Sequence, residues 1–145
     1  MKVLIIEDDI NKMQAITNFL WEHSAIKCTC KMSYHSGMQA ILKERFDILL
    51  LDMSMPVYDI TTQDAGGGRP LALAGRDILF QLRRRQIGMQ VIVITQYENF
   101  GGFSLDELDH ELQEEFPQQY IGYVYYNTTQ EGWKEKLSAL LEIKL

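Results

Sequence analysis

The feature that most constrains the fold is an apolar run that ends in an acid. Phe46 to Pro56 reads Phe-Asp-Ile-Leu-Leu-Leu-Asp-Met-Ser-Met-Pro. Its four consecutive aliphatic residues leave no polar face, which is typical of a strand buried on both sides in a parallel sheet covered by helices. The run ends at Asp52, so a carboxylate is expected at the carboxyl edge of a central strand, where open α/β sheets bind their ligands.

Composition narrows the class of protein. A chain of 145 residues, 46 % of them hydrophobic, suits one domain over residues 1–145 with a substantial core. The net charge of −6 gives no reason to expect nucleic acid or an anionic membrane as a partner. Cys28 and Cys30 lie two residues apart in an apparent strand and cannot form a disulfide framework. Without a signal peptide or an apolar run of membrane-spanning length, a cytoplasmic protein is expected.

Strand and helix patterns alternate along the whole chain. Val3 to Ile6 is a second continuous apolar run, and helical spacing follows from Ile10 to Leu20. Later segments continue the alternation: a strand at Ile26 to Met32, a helix capped by Ser33 or Ser36, a helix at Arg76 to Arg85, a strand at Val91 to Ile94, an acidic helix opened by a capping box at Ser104 to Glu107, a strand at Ile121 to Tyr126, and a helix at Trp133 to Ile143. The alternation predicts a doubly wound parallel α/β sheet.

Polar residues follow three of the predicted strands. Glu7 and Asp8 follow the first strand, Asp52 the third, and Thr95 the fourth. If the first strand lies between the second and third, the acids meet at the switch point of the sheet. Clustered carboxylates suit Mg²⁺, beside which a carboxylate can attack phosphorus while a hydroxyl donates to a phosphoryl oxygen. Alternatively, Asp9 caps the next helix and the other acids are solvated.

Three of these segments together resemble the receiver domain of two-component response regulators. They read Val-Leu-Ile-Ile-Glu-Asp-Asp, Asp-Ile-Leu-Leu-Leu-Asp-Met-Ser-Met-Pro and Val-Ile-Val-Ile-Thr, in that order on strands one, three and four. The resemblance covers nearly the whole chain. It implies a flavodoxin-like five-stranded parallel sheet with strand order 2-1-3-4-5.

The resemblance also implies roles for individual residues. Asp52 would be the phosphoacceptor, and Thr95 and Tyr123 would be the switch residues. The implied Mg²⁺ ligands are Glu7, Asp8, Asp52 and the backbone carbonyl of Ser54. The implied partners are a sensor histidine kinase or phosphotransfer protein as the phosphoryl donor, and a downstream protein as the receiver of the signal.

The chain departs from this family in three places. Tyr126, or alternatively Tyr125, stands where the family has a lysine that pairs with the phosphoryl group. A neutral phenol cannot replace an ammonium there, so most of the driving force for switching is expected to be lost. Insertions are also expected at 57–74, just before the glycine Gly75 that opens the third helix, and at 98–118.

Three functions are therefore compared. The first is a signalling receiver domain, not an enzyme, that accepts a phosphoryl group on Asp52 with Mg²⁺. The second is a degenerate receiver that works as a phosphorylation-independent protein-binding module, which the missing lysine favours. The third is a phosphatase or hydrolase with an aspartyl nucleophile. Such enzymes commonly carry a second Asp two residues later, and this chain has Ser54 at that position.

Overall fold

Five parallel strands form the centre of the fold. The computed structural model describes residues 1–59, 73–100 and 102–142. The strands in chain order are β1 (Lys2–Ile6), β2 (Lys27–Lys31), β3 (Ile48–Leu51), β4 (Gln90–Thr95), β5 (Asn99–Phe100), β6 (Phe103–Ser104) and β7 (Tyr120–Tyr125). The main sheet has the order β2-β1-β3-β4-β7, and β5 and β6 form a separate antiparallel pair. Since β7 is the fifth strand of the main sheet, the predicted order 2-1-3-4-5 is confirmed.

Helices cover both faces of this sheet, which explains why its central strands β1, β3 and β4 are largely apolar. The helices are α1 (Ile10–Trp21), α2 (Tyr34–Lys43), α3 (Ala74–Arg84), α4 (Leu105–Glu115) and α5 (Gly132–Leu141). One core cluster joins α2, α3 and α4 to alternate strand residues such as Leu49 and Leu51. The other joins α1 and α5 to the intervening residues, such as Ile48 and Leu50. The strands β1, β3 and β4 therefore bury both of their faces, as the sequence predicted, whereas the edge strand β2 is half-buried or exposed and β7 is buried at alternate residues.

Side-chain caps fix the starts of three helices. Asp9 Oδ1 accepts hydrogen bonds from the backbone N–H groups of Asn11 (2.9 Å) and Lys12 (3.2 Å), which confirms Asp9 as the cap of α1. Ser33 and Ser36 together form a capping box at α2. At α4, Ser104 accepts from the Glu107 N–H at 3.1 Å, one of the two bonds of the predicted box. The Asp9 cap matters most for function, because it sets the first turn of α1 directly beside the acids.

The two predicted insertions lie in the segments 57–74 and 98–118. Of the segment 57–74, residues 60–72 lie outside the described residues. The segment 98–118 contains the β5–β6 hairpin followed by α4. Within the described part of the chain, no helix has the length and apolarity needed to span a membrane.

Candidate functional site

Neighbouring parallel strands bring the predicted acids to one edge of the sheet. β1 and β3 are paired in register, with Ile6 opposite Leu51, so the residues that follow them emerge side by side. The Asp52 N–H donates to the Ile6 carbonyl at 3.1 Å, and the Glu7 N–H donates to the Lys31 carbonyl at 2.9 Å. The backbone thus continues its ladder up to both acids.

The acids form a compact cluster. One carboxylate oxygen from each of Glu7, Asp8 and Asp52 lies within 4.8 Å of the others. Glu7 is 2 % exposed and Asp52 is 5 % exposed, whereas Asp8 is half-buried. Asp52 Oδ1 is buried and has no hydrogen-bond partner among the described residues. A buried polar atom without a partner is costly in a folded protein, so this oxygen marks a place for a ligand.

Burial and mutual repulsion raise the pKa of each acid. Burial, together with the nearby Asp52, raises the pKa of Glu7 to about 7. Burial and the neighbouring Glu7 raise the pKa of Asp8 to about 6. Burial also raises the pKa of Asp52, although Lys12 and hydrogen bonds with Glu7 and the Ser54 backbone oppose this shift. The cluster therefore holds more negative charge than its surroundings offset, and added positive charge would relieve it.

Sequence reasoning missed the residue that supplies part of that positive charge. The side chain of Lys12 is 1 % exposed. Its Nζ forms an ion pair with Glu7 Oε1, donates to the Ile94 carbonyl at 2.8 Å, and lies 3.7 Å from Asp52 Oδ1. A signal was available, because Lys12 lies one helical turn before Ile16 and two before Leu20, on the inward stripe of α1. A lysine on such a stripe must find a buried anion.

The site nevertheless contains an ammonium, because Lys12 supplies one from α1. Tyr126 does follow β7 at the predicted position, and its N–H donates to the Thr95 carbonyl at 2.7 Å. Its ring is buried against Trp133, with centroids 5.2 Å apart, and the Lys12 Nζ lies 6.0 Å from the ring centroid. The cation enters from α1 instead of from the fifth strand of the sheet.

Thr95 and Tyr123 lie on the strands that the resemblance implied. Thr95 ends β4 and is fully buried, and its Oγ1 accepts a hydrogen bond from the Tyr97 N–H at 3.1 Å. Tyr123 lies in β7, and its hydroxyl donates to Asp106 Oδ1 of α4 at 3.0 Å. The Lys136 Nζ lies 3.7 Å from the centre of the Tyr123 ring. Their roles as switch residues remain a prediction.

Gly75 packs closely against the backbone at Asp52 and Met53. The Gly75 N–H donates to the Met53 carbonyl at 3.0 Å. A Cβ at position 75 would lie 2.9 Å from the Asp52 carbonyl oxygen and 3.0 Å from the Met53 Cα. Only glycine permits this close approach of the helix to the end of the strand, which explains the glycine in the first turn of α3. Ser54 follows in the same loop, and its carbonyl as a metal ligand stays a prediction.

The oxygens of the site suit a hard divalent cation, and those of Asp52 and Asp8 are better placed to bind it than those of Glu7. Glu7 is already engaged through both oxygens, because Oε1 pairs with Lys12 and Oε2 accepts from the Asp9 N–H at 3.1 Å. The orphaned oxygen of Asp52 and the half-buried carboxylate of Asp8 are better placed to bind directly. Two carboxylates, a carbonyl and several waters make the kind of shell that Mg²⁺ prefers.

Comparison with known proteins identifies the family. No model of a protein family matches this chain. It is 33 % identical over 143 residues to the Detocs response regulatory protein DtcB of Enterobacter cloacae, covering 94 % of this chain and 95 % of DtcB. It is also 26 % identical over 139 residues to the uncharacterized protein y4jR of Sinorhizobium fredii, covering 92 % of each.

Solved structures agree on the fold. The receiver domain of Francisella response regulator 1452 matches with a TM-score of 0.65 and 19 % identity, over 97 % of this chain and 93 % of that one. The response regulator TrrA of Thermotoga maritima, solved in complex with Mg²⁺ and BeF, matches with a TM-score of 0.61 and 16 % identity, over 96 % and 97 %. The chain belongs to the response regulator family and has the receiver-domain fold. That membership supports a role in two-component signalling.

Proposed function

We propose that this domain accepts a phosphoryl group on Asp52, with Mg²⁺ held by the acids around it. The observation that carries the proposal is the buried Asp52 Oδ1, which lacks a partner among the described residues and lies among the oxygens of Glu7 and Asp8. The structure of TrrA with Mg²⁺ and BeF concerns a protein of the same fold, which supports the assignment. When bound, the metal would offset negative charge on the transferring group.

The protein's own groups suit phosphoryl transfer. A carboxylate oxygen of Asp52 attacks the phosphorus of a phosphohistidine on the donor protein, and an O–P bond forms as the P–N bond breaks. The electron pair of the broken bond stays on the imidazole nitrogen, and the leaving group becomes neutral imidazole with one proton, carried beforehand on its other ring nitrogen or taken from solvent. Thr95 uses an acceptor position for the Tyr97 N–H, so its O–H remains free to donate to a phosphoryl oxygen.

In this proposal the domain is a stoichiometric acceptor and not an enzyme. The donor would be a sensor histidine kinase or a phosphotransfer protein, and the phosphorylated form would act on a downstream protein. We place the downstream contact on the α4 side, because Asp106 of α4 and Lys136 of α5 both hold Tyr123 of β7. Because β4 pairs with β7, a movement of Thr95 in β4 can be transmitted through β7 to the surface around α4.

Intact-mass measurement after incubation with a small phosphodonor and Mg²⁺ tests the proposal. The wild-type protein should gain one phosphoryl group, and Asp52→Asn should gain none. Asp47→Asn is the matched control, since Asp47 accepts the Lys2 N–H at the opposite edge of the sheet and should leave labelling unchanged. Equal labelling of wild type and Asp52→Asn would disprove the assignment. Absence of labelling in wild type, with another receiver domain labelled in parallel, would favour the protein-binding module.

A further inference from the structure

We propose that Lys12 is the phosphoryl-binding lysine of this domain. Its ammonium, carried by α1, would make the contact that receiver domains draw from a lysine at the end of the fifth strand. The inference rests on the proposed function, because it concerns the group that Asp52 accepts. The Lys12 Nζ lies 3.7 Å from the carboxylate that would react, and the resemblance did not imply a role for this residue.

One of the three N–H donors of the Lys12 ammonium makes no hydrogen bond among the described residues. A lysine ammonium has three N–H donors. The Lys12 Nζ uses one toward Glu7 Oε1 and one toward the Ile94 carbonyl. Among the described residues the third makes no hydrogen bond, and Asp52 Oδ1, which itself lacks a hydrogen bond, lies 3.7 Å from Nζ. A free donor and a free acceptor thus face each other across a gap slightly too long for a hydrogen bond.

A phosphoryl group on Asp52 would place new oxygens in that gap. Its oxygens extend beyond the carboxylate, so one of them can approach Nζ more closely than Oδ1 does now. The contact would be strong, since both partners are charged and the Lys12 side chain is 1 % exposed. Glu7 and the Ile94 carbonyl already hold the ammonium in position, so little side-chain freedom is lost when the contact forms.

Tyr126 stands at the position of the family's lysine, and its ring lies near the Lys12 ammonium. Its buried ring occupies the place where a fifth-strand lysine would enter, 6.0 Å from Nζ and packed on Trp133. A lysine at 126 would bring a second ammonium beside the first, at a cost in repulsion and desolvation. The ammonium beside Asp52 is thus carried by α1, and an aromatic ring packs at position 126.

The alternative is that Lys12 only neutralises Glu7 and has no part in phosphoryl binding. Beryllofluoride, which mimics the phosphoryl group, separates the two roles when its affinity is measured by calorimetry in saturating Mg²⁺. Lys12→Met removes the ammonium and keeps most of the apolar stem, and we expect it to weaken binding at least tenfold, or about 1.4 kcal/mol. Lys12→Met/Tyr126→Lys returns a cation from β7 and should recover part of that loss. Lys2→Met removes an exposed lysine paired with Glu44 and should stay within twofold of wild type.

Two further measurements guard against a folding artefact. Glu7→Gln/Lys12→Met removes both charges of the buried pair, and compared with Glu7→Gln alone it should show the same tenfold or larger loss. Affinity for Mg²⁺ alone should be unchanged or higher in Lys12→Met, because a positive charge has left the cluster. Two results would overturn this inference and leave the proposed function intact. In the first, the beryllofluoride affinity of Lys12→Met stays within twofold of wild type. In the second, that affinity falls only as much as the affinity for Mg²⁺ falls. Failure of wild type to bind beryllofluoride would overturn both.

Discussion

Replacing Asp52 with asparagine should stabilise the metal-free protein, although it removes the residue on which function depends. Asp52 is 5 % exposed and shares its site with two other carboxylates and one ammonium. Asparagine has almost the same shape and removes only the charge. The sign of the effect therefore follows from the balance of attraction and repulsion at this one position.

The magnitude can be worked from the distances. With an effective dielectric constant of about 20, a unit charge 3.7 Å away, as the Lys12 Nζ is, attracts the carboxylate by about 4 kcal/mol. Glu7 and Asp8, with oxygens within 4.8 Å, each repel it by about 3 kcal/mol or more. Repulsion exceeds attraction, and burial adds to the cost of the charge. We expect Asp52→Asn to raise the free energy of unfolding by about 1–3 kcal/mol, and the Tm by about 3–10 °C.

Thermal unfolding at pH 8 with a chelator present measures this gain. Glu7 (pKa about 7) and Asp8 (pKa about 6) lose the charges that repel Asp52 as the pH falls from 8 to 5, so the gain should shrink at pH 5. Asp47→Asn should change stability by less than about 0.5 kcal/mol, as is usual for surface positions. A lower Tm for Asp52→Asn at pH 8 would show that Lys12 more than offsets the two carboxylates and that our balance of charges is wrong.

Other predictions concern the rest of the site. Gly75→Ala should destabilise the protein by about 1–3 kcal/mol and weaken Mg²⁺ binding, because its Cβ would meet the Asp52 carbonyl, whereas Gly88→Ala, with open space around it, should do neither. The metal-free protein should lose stability as pH rises from about 5 to 8. The raised pKa values of Glu7 (about 7) and Asp8 (about 6) mean that the folded state binds more protons than the unfolded state across that range. A flat or rising Tm over this range would contradict it. Excess Mg²⁺ should raise the Tm at pH 8 in wild type and markedly less in Asp8→Asn, and equal shifts would exclude Asp8 as a ligand.

The sheet and the acid cluster could be predicted because their signals are local. Each buried strand is a short apolar run, and the parallel arrangement fixes which strand ends meet. Glu7, Asp8 and Asp52 were expected to meet if the first strand lies between the second and the third. The structure has that order and brings the three acids together. The assignment of Tyr126 to the position of a lysine came instead from the resemblance to receiver domains.

Lys12 was missed because its environment is not local. Its position on the inward stripe of α1 indicates burial but does not reveal which groups it contacts. Its burial here depends on partners from three strands, among them the Ile94 carbonyl, 82 residues further along the chain. The residue at the position of the family's fifth-strand lysine can be read directly from the sequence. The Lys12 ammonium near Asp52 becomes apparent only when α1 is packed against β1, β3 and β4.

A crystal structure of the protein with Mg²⁺ and beryllofluoride tests the central claim most directly. We predict beryllium bonded to an Asp52 carboxylate oxygen, and the Lys12 Nζ at hydrogen-bonding distance, about 3 Å, from one of the fluorides. The Thr95 hydroxyl should donate to another fluoride. Beryllofluoride bound to Asp52 with Lys12 still directed only at Glu7 and the Ile94 carbonyl would contradict the role of Lys12. An unmodified Asp52 at saturating beryllofluoride would contradict the account as a whole.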